Sequence, residues 1–300
     1  MQLFYKLIYN PVINFLLRSL IFPFRNYLPH KFLLPPSGIV SFQLLNGRKI
    51  RMHTNQTSFV TWNIYWKGYR NYEYVPIFEA LSKDVKTFLD VGSNIGLYSL
   101  ILAGTNPSSK IWAFEPSQGP DKYLGLNVKE NGFFENITTE NIALADHNGF
   151  SEFVSAHSPK YSYLKEATLG GSGHLMGARE NTSKKHFAVK TLTLDDYVKL
   201  NNIKSIDLIK LDTEETEHLI IREGLNSLRK FEPIIICEVF SKDMAAHLND
   251  LLIPLGYLPY QSKNDHLLKI DEVLFNSGKI LDCFFVTPSK LHLIADYIRN

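Results

Sequence analysis

The stretch TFLDVGSNIGLYSLILA, residues 87–103, constrains the fold more than any other part of the chain. An apolar strand pattern carries a carboxylate, Asp90, turns through Gly92 and Gly96, and enters a helical pattern. Strand, glycine turn and helix in that order open a βαβ unit, and such units build a parallel sheet with helices on both faces. The flanking sequence keeps the same rhythm. It predicts helices over 75–82, 97–103 and 121–131, and strands over 87–91, 110–114 and 137–142. Residues 149–193 break the pattern, with GFSEFVSA and HFAVKTLTL as strands around a loop holding glycines at 170, 171, 173 and 177. The alternation then resumes as strand SIDLIKLD, a helix over 214–228, and strand PIIICEVF. LGYLPY and CFFVTP are expected to close the sheet with an antiparallel edge.

Charge divides the chain into two parts. Residues 1–72 hold nine Lys or Arg and no acid, which leaves 23 basic against 30 acidic residues beyond them. The expected organisation is therefore a basic, apolar accessory segment over 1–72, with a helical arm and a short hairpin turning at Asn46, and a main domain over 73–300 with an inserted loop region at 149–193. No unbroken apolar run approaches the roughly 20 residues that span a bilayer. The opening residues, LFYKLIYNPVINFLLRSLIFPF, read either as a helical arm packed on the main domain or as an arm making peripheral membrane contact through residues 1–35, in a protein expected to be cytoplasmic. Two cysteines, Cys237 and Cys283, are too few for a disulfide framework or a structural zinc site. Oligomeric state leaves no trace in the sequence.

Ligands of open α/β sheets bind beyond the carboxyl ends of strands, so the residues there carry the information. Asp90, Gly92, Ser93, Asn94 and Gly96 follow or end the first strand, and Glu115 and Pro116 follow the second. Glycines at 92 and 96 admit close backbone approach, and Asn94 tolerates left-handed geometry. Glu115 is placed to accept both hydrogen bonds of a ribose diol. The spacing departs from Gly-x-Gly-x-x-Gly, the dinucleotide fingerprint. It matches Asp-x-Gly-x-Gly-x-Gly with Asn94 at the middle glycine, the pattern of S-adenosylmethionine enzymes. An NAD(P)-dependent Rossmann oxidoreductase is the alternative enzyme.

FLDVGSNIGLYS, AFEPSQGPDKYLGLNVKENG, TLTLDDYV, IDLIKLDTEETEHLIIREG and PIIICEV together resemble the FkbM family of S-adenosylmethionine-dependent methyltransferases. The resemblance runs over about residues 75–240. It implies a Rossmann-like class I methyltransferase fold of seven strands, and methyl transfer to a hydroxyl oxygen of a sugar, glycan or glycolipid. Asn127 matches a family position and is expected to brace the cofactor turn. Where the family reads Lys-x-Asp-x-Glu-Gly, this chain has Lys210, Asp212 and Glu214 but Glu215 in place of the glycine. A binding protein that kept the fold and lost turnover is the non-enzyme alternative.

Lys210 within an apolar strand demands a partner, and Asp212 is at hand. Asp212, Glu214, Glu238 and His174 are the candidates for the base that removes the acceptor's proton. Clustered carboxylates also raise the possibility of Mg²⁺, though spacing leaves metal ligands unknown. Trp62, Trp66 and Tyr69 serve either core packing or stacking on a sugar ring. No nucleic-acid partner is expected, because the main domain is acidic.

Overall fold

Residues 87–91, TFLDV, are buried at every position, as only a central strand covered on both faces permits. The computed structural model describes residues 2–156, 158–164, 168–169, 174–175, 184–275 and 281–299. It begins with helices α1 (Gln2–Ile8) and α2 (Pro11–Ile21), then strands β1 (Gly38–Gln43) and β2 (Lys49–Thr54) paired as the expected hairpin, then helices α3 (Phe59–Lys67) and α4 (Val75–Leu81). The first half of the main sheet follows as β3 (Thr87–Val91), α5 (Leu97–Thr105), β4 (Lys110–Phe114), α6 (Gln118–Asn131) and β5 (Ile137–Glu140). The inserted region holds β6 (Ala143–Leu144), β7 (Gly149–Ala156), β8 (His174–Leu175) and β9 (Lys184–Leu192), which form a separate sheet in the order β6-β9-β7-β8.

The rhythm then returns with α7 (Leu194–Leu200), β10 (Leu208–Leu211), α8 (Glu217–Arg222), α9 (Leu225–Phe231), β11 (Ile234–Val239) and α10 (Lys242–Leu252). Strands β12 (Leu258–Lys263), β13 (His266–Lys269), β14 (Leu281–Val286) and β15 (Ile298–Arg299) finish it. The main sheet runs β15-β13-β12-β14-β11-β10-β3-β4-β5. Its five strands from β11 to β5 are parallel, while β14 joins β11 antiparallel and β12 joins β14 antiparallel, so the expected antiparallel end is present. Nine strands are therefore seen among the described residues where seven were expected, because β13 and β15 extend the edge beyond β12.

Alternation along each strand divides the core into two layers. Phe88, Leu208, Ile234 and Phe284 pack on one face with α4 and α5, and Leu89, Ile209, Ile235 and Phe285 on the other with α8 and α10. The hairpin's Val40, Phe42, Ile50 and Met52 join the first layer. One helix was expected over 214–228, yet two are found. Glu214 and Glu215 both take left-handed backbone, at φ +59 and +82, so the first turn starts only at Glu217, and a second break falls at Gly224.

No single helix among the described residues is long and apolar enough to cross a membrane. Gln2–Ile8 and Pro11–Phe24 reach that length and composition only together, bent by 68°.

Candidate functional site

The strand order of the main sheet reverses between β3 and β10, which opens a crevice at their carboxyl ends. Gly92 leaves β3 with φ +76, and a Cβ there would stand 1.8 Å from the carbonyl oxygen of Asp212. Glycine is the residue that fits. The Gly92 and Ser93 amides donate to the Phe114 carbonyl at 3.1 and 3.0 Å, and Ser93 Oγ adds a third donor at 3.2 Å. Asn94, at φ +50, points its N–H at Glu115 Oε2, 2.9 Å away, while the Ser117 N–H donates to Oε1 at 2.8 Å. Burial still pushes the Glu115 carboxyl up to about 8, against the pull of those two amides. Gly96, at φ +87, opens α5 where a Cβ would meet Leu124 at 2.6 Å.

Asp90 and Asn127 brace this turn from behind. Asp90 Oδ2 accepts from Ser99 N–H at 3.2 Å and Ser99 Oγ at 2.6 Å, which ties the strand to α5; its buried Oδ1 has no partner. Asn127 donates through Nδ2 to the Ile95 carbonyl at 2.9 Å and accepts the His53 N–H at 2.5 Å. A fully buried amide thus joins the turn to β2.

Two cavities meet across the turn. The smaller, of about 80 Å³, is lined by Phe114, Glu115, Pro116 and Ser117 and by Leu144 and Phe153. The larger, of about 470 Å³, is lined by Tyr72, Glu73, Tyr98, Lys210, Glu238 and Phe240. Gly92, Asn94, Asp212 and Glu214 line both, so these four form the wall between them.

The larger cavity and the sheet face beneath it hold an unusual number of charges. Pairing of β10 with β3 sets Lys210 opposite Asp90, and pairing of β11 with β14 sets Glu238 opposite Asp282. By the two-residue period all four lie on one sheet face, toward α5. Lys210 Nζ bonds Asp212 Oδ2 at 2.8 Å and lies 5.2 Å from the Tyr98 ring centroid. Desolvation alone would lower the pKa of Lys210, but Asp212 and Asp90 outweigh it and hold the ammonium above its usual value. The acids respond in the opposite sense. Burial, then repulsion from Asp212 and Glu73, lifts Glu238 to about 10. Burial and the same two neighbours lift Asp282 to about 7. Glu73 is raised too, mainly by burial, although Tyr98 Oη donates to it at 2.5 Å.

Of the four candidate bases, Asp212, Glu214 and Glu238 share the larger cavity. His174 lies on β8 opposite Val154, and its side chain is outside the described residues. Glu217 opens α8 close to Glu214 in the chain but does not line either cavity. Its side chain is instead wholly buried, with Oε1 accepting the Thr213 N–H at 2.6 Å, Oε2 unpartnered, and its pKa raised by burial to about 7. The aromatic trio serves packing. Trp62 and Trp66 donate to the Leu33 and Leu34 carbonyls, and Tyr69 to Glu79. Sequence reasoning missed Glu73, Tyr98 and Asp282; the one signal was that Glu73 is the first acid of the chain. Among the described residues no three of His, Cys, Asp and Glu form a metal-binding group, so no step is routed through Mg²⁺.

Residues 90–259 match the model of the methyltransferase FkbM domain. The ribosomal RNA small subunit methyltransferase G of Prochlorococcus marinus (strain MIT 9312) is 33% identical over 103 residues, which cover 33% of this chain and 44% of that protein. Among solved structures, methyltransferase FkbM from Methylobacillus flagellatus KT aligns at 14% identity and TM-score 0.41, over 77% of this chain and 54% of that one. An S-adenosylmethionine-dependent O-methyltransferase from Thermotoga maritima aligns at 12% identity and TM-score 0.38, over 86% and 80%. Structural likeness this slight supports no inference about substrate.

Proposed function

The chain belongs to the FkbM methyltransferase family, and on that premise we propose that it moves the methyl group of S-adenosylmethionine to a hydroxyl oxygen of a sugar, glycan or glycolipid. The observation that carries this reading is the shared wall: Asp212 borders both a small cavity beside the glycine turn and a larger acidic one. The lining beside the glycine turn suits the ribose of the cofactor and the larger cavity an acceptor, with one carboxylate at their junction.

The residues of the smaller cavity fit the cofactor. The two backbone amides orient Glu115 so that its remaining lone pairs can accept from a ribose diol. Asn94 Oδ1, buried without a partner, is a further acceptor at the wall. When bound, S-adenosylmethionine supplies an electrophilic methyl carbon whose bond to sulfur breaks as the acceptor oxygen attacks, the electron pair leaving on sulfur.

Asp212 takes the proton of that hydroxyl. Its carboxylate keeps an exposed portion, and Lys210 fixes its orientation through Oδ2. Glu238, protonated near neutrality, serves as a hydrogen-bond donor to the acceptor rather than as a base. Glu73 and Glu214 supply further acceptors, and Tyr72 and Phe240 offer apolar faces, which together suit a polyhydroxylated ring. The relative named for ribosomal RNA raises nucleic acid as the other acceptor class. The acceptor cavity offers a phosphate backbone one lysine, and that lysine is already paired with Asp212.

Calorimetry with S-adenosylmethionine and NAD⁺, followed by labelled methyl transfer to glycans, glycolipids and RNA, tests the reading. Binding of S-adenosylmethionine with label in a glycan hydroxyl supports it. Label in RNA overturns the acceptor, and binding of NAD⁺ alone overturns the reaction.

A further inference from the structure

Helix α2 is inside out. Asn14 and Arg18 are 0% and 1% exposed, while Val12, Phe15, Leu16 and Leu20 are 55–72% exposed, and Ser19 is the one polar residue of the helix left outside. A surface helix normally turns its apolar stripe inward. Here the inward side is held by polar bonds. Asn14 donates to the Pro35 carbonyl at 3.1 Å and accepts the Ser37 N–H at 2.8 Å; Arg18 donates to the Ile39 carbonyl at 2.6 Å and stacks on Tyr65 at 4.6 Å. These contacts fix which way the helix faces. In α1 the apolar exposure continues, with Leu3 82%, Phe4 60% and Leu7 57% exposed. Apolar surface on this scale needs a partner other than water.

Charge selects the partner. The first 72 residues hold nine Lys or Arg and no acid, with Lys6 beside α1's exposed leucines and Arg25 just past α2. Arg51 and Arg70 pair with Glu130 and Glu79, so the charge that bears on the arm is that of Lys6, Arg25 and Lys31; a second copy of the chain would set it against itself, whereas an anionic bilayer neutralises it and accepts the apolar side chains. Because the two helices are bent by 68° and neither spans a bilayer, they suit its surface plane.

We propose that α1 and α2 seat the protein on an anionic bilayer surface, with the outward face of α2 in the acyl boundary and Lys6 and Arg25 at the headgroups. This does not depend on the methyl-transfer reading.

Sedimentation of the full chain with phosphatidylcholine vesicles, with and without phosphatidylglycerol, tests it. Wild-type protein should pellet with the anionic vesicles and much less with neutral ones. The double variant Leu16→Glu/Leu20→Glu alters exposed positions only and should bind about tenfold more weakly or less still, with an unchanged thermal melt. Leu200→Glu, at a 71% exposed leucine on α7, should bind as wild type. Equal recovery with and without vesicles, equal binding to neutral and anionic vesicles, or lipid-free oligomers that the double variant dissociates would each overturn the proposal.

Discussion

The carbonyl oxygen of Asp212 lies 1.8 Å from the point a Cβ on Gly92 would occupy, so the ends of β3 and β10 touch backbone to backbone. That contact makes one wall serve two cavities. Gly92→Ala must push the strand ends apart or distort a left-handed turn. It should cost about 3 kcal/mol or more in urea unfolding and abolish calorimetric binding of S-adenosylmethionine.

Asp212→Asn keeps an oxygen for Lys210 and removes the proposed base. Turnover should fall by a factor of about 10² to 10⁴, while cofactor affinity changes little. Steady-state kinetics beside calorimetry check this, and equal loss of both would place Asp212 in binding alone.

Asp282 faces Glu238 across the sheet, and its buried Oδ1 has no partner. Burial and the neighbouring Glu73 and Asp212 raise its pKa to about 7 in the folded protein. The folded state therefore holds this proton more tightly than the unfolded chain. The associated stability is present in full below the unfolded carboxylate range and is lost as pH rises through about 7. Asp282→Asn should remove a stability loss on the order of 3 kcal/mol between about pH 4 and about pH 8. Denaturant midpoints measured across that range would show the variant's profile as the flatter one.

Glu215 sits at φ +82, in the left-handed region that favours glycine. A side chain in that region costs energy that glycine does not pay. Glu215→Gly should raise stability by about 1 kcal/mol, read as a higher melting temperature, with α8 still starting at Glu217.

Local physics made part of the site legible. The DVGSNIG turn, its strand and its helix are neighbours in the chain, so glycine spacing and apolar pattern sufficed to place them. Lys210 and Asp212 were legible as a pair because a strand's period sets them on one side. The start of α8 was misjudged because helical periodicity continues through Glu214 and Glu215, whereas their backbone turns left-handed. Glu73, in the larger cavity, and Asp282, beside Glu238 on the sheet, escaped notice because nothing near them in the chain marks them.

By itself the sequence determined the alternating strands and helices, the cofactor turn, and the acid-free, apolar lead segment. All of these follow from neighbouring residues. The tertiary structure alone decided which charges meet on the α5 face of the sheet, because antiparallel pairing of β14 with β11 brings Asp282 beside Glu238 and parallel pairing of β10 with β3 brings Lys210 beside Asp90. It also decided which side of α2 faces outward. Amphipathic spacing defines two faces, but only the partners of Asn14 and Arg18 on residues 35–39 turn the polar one inward.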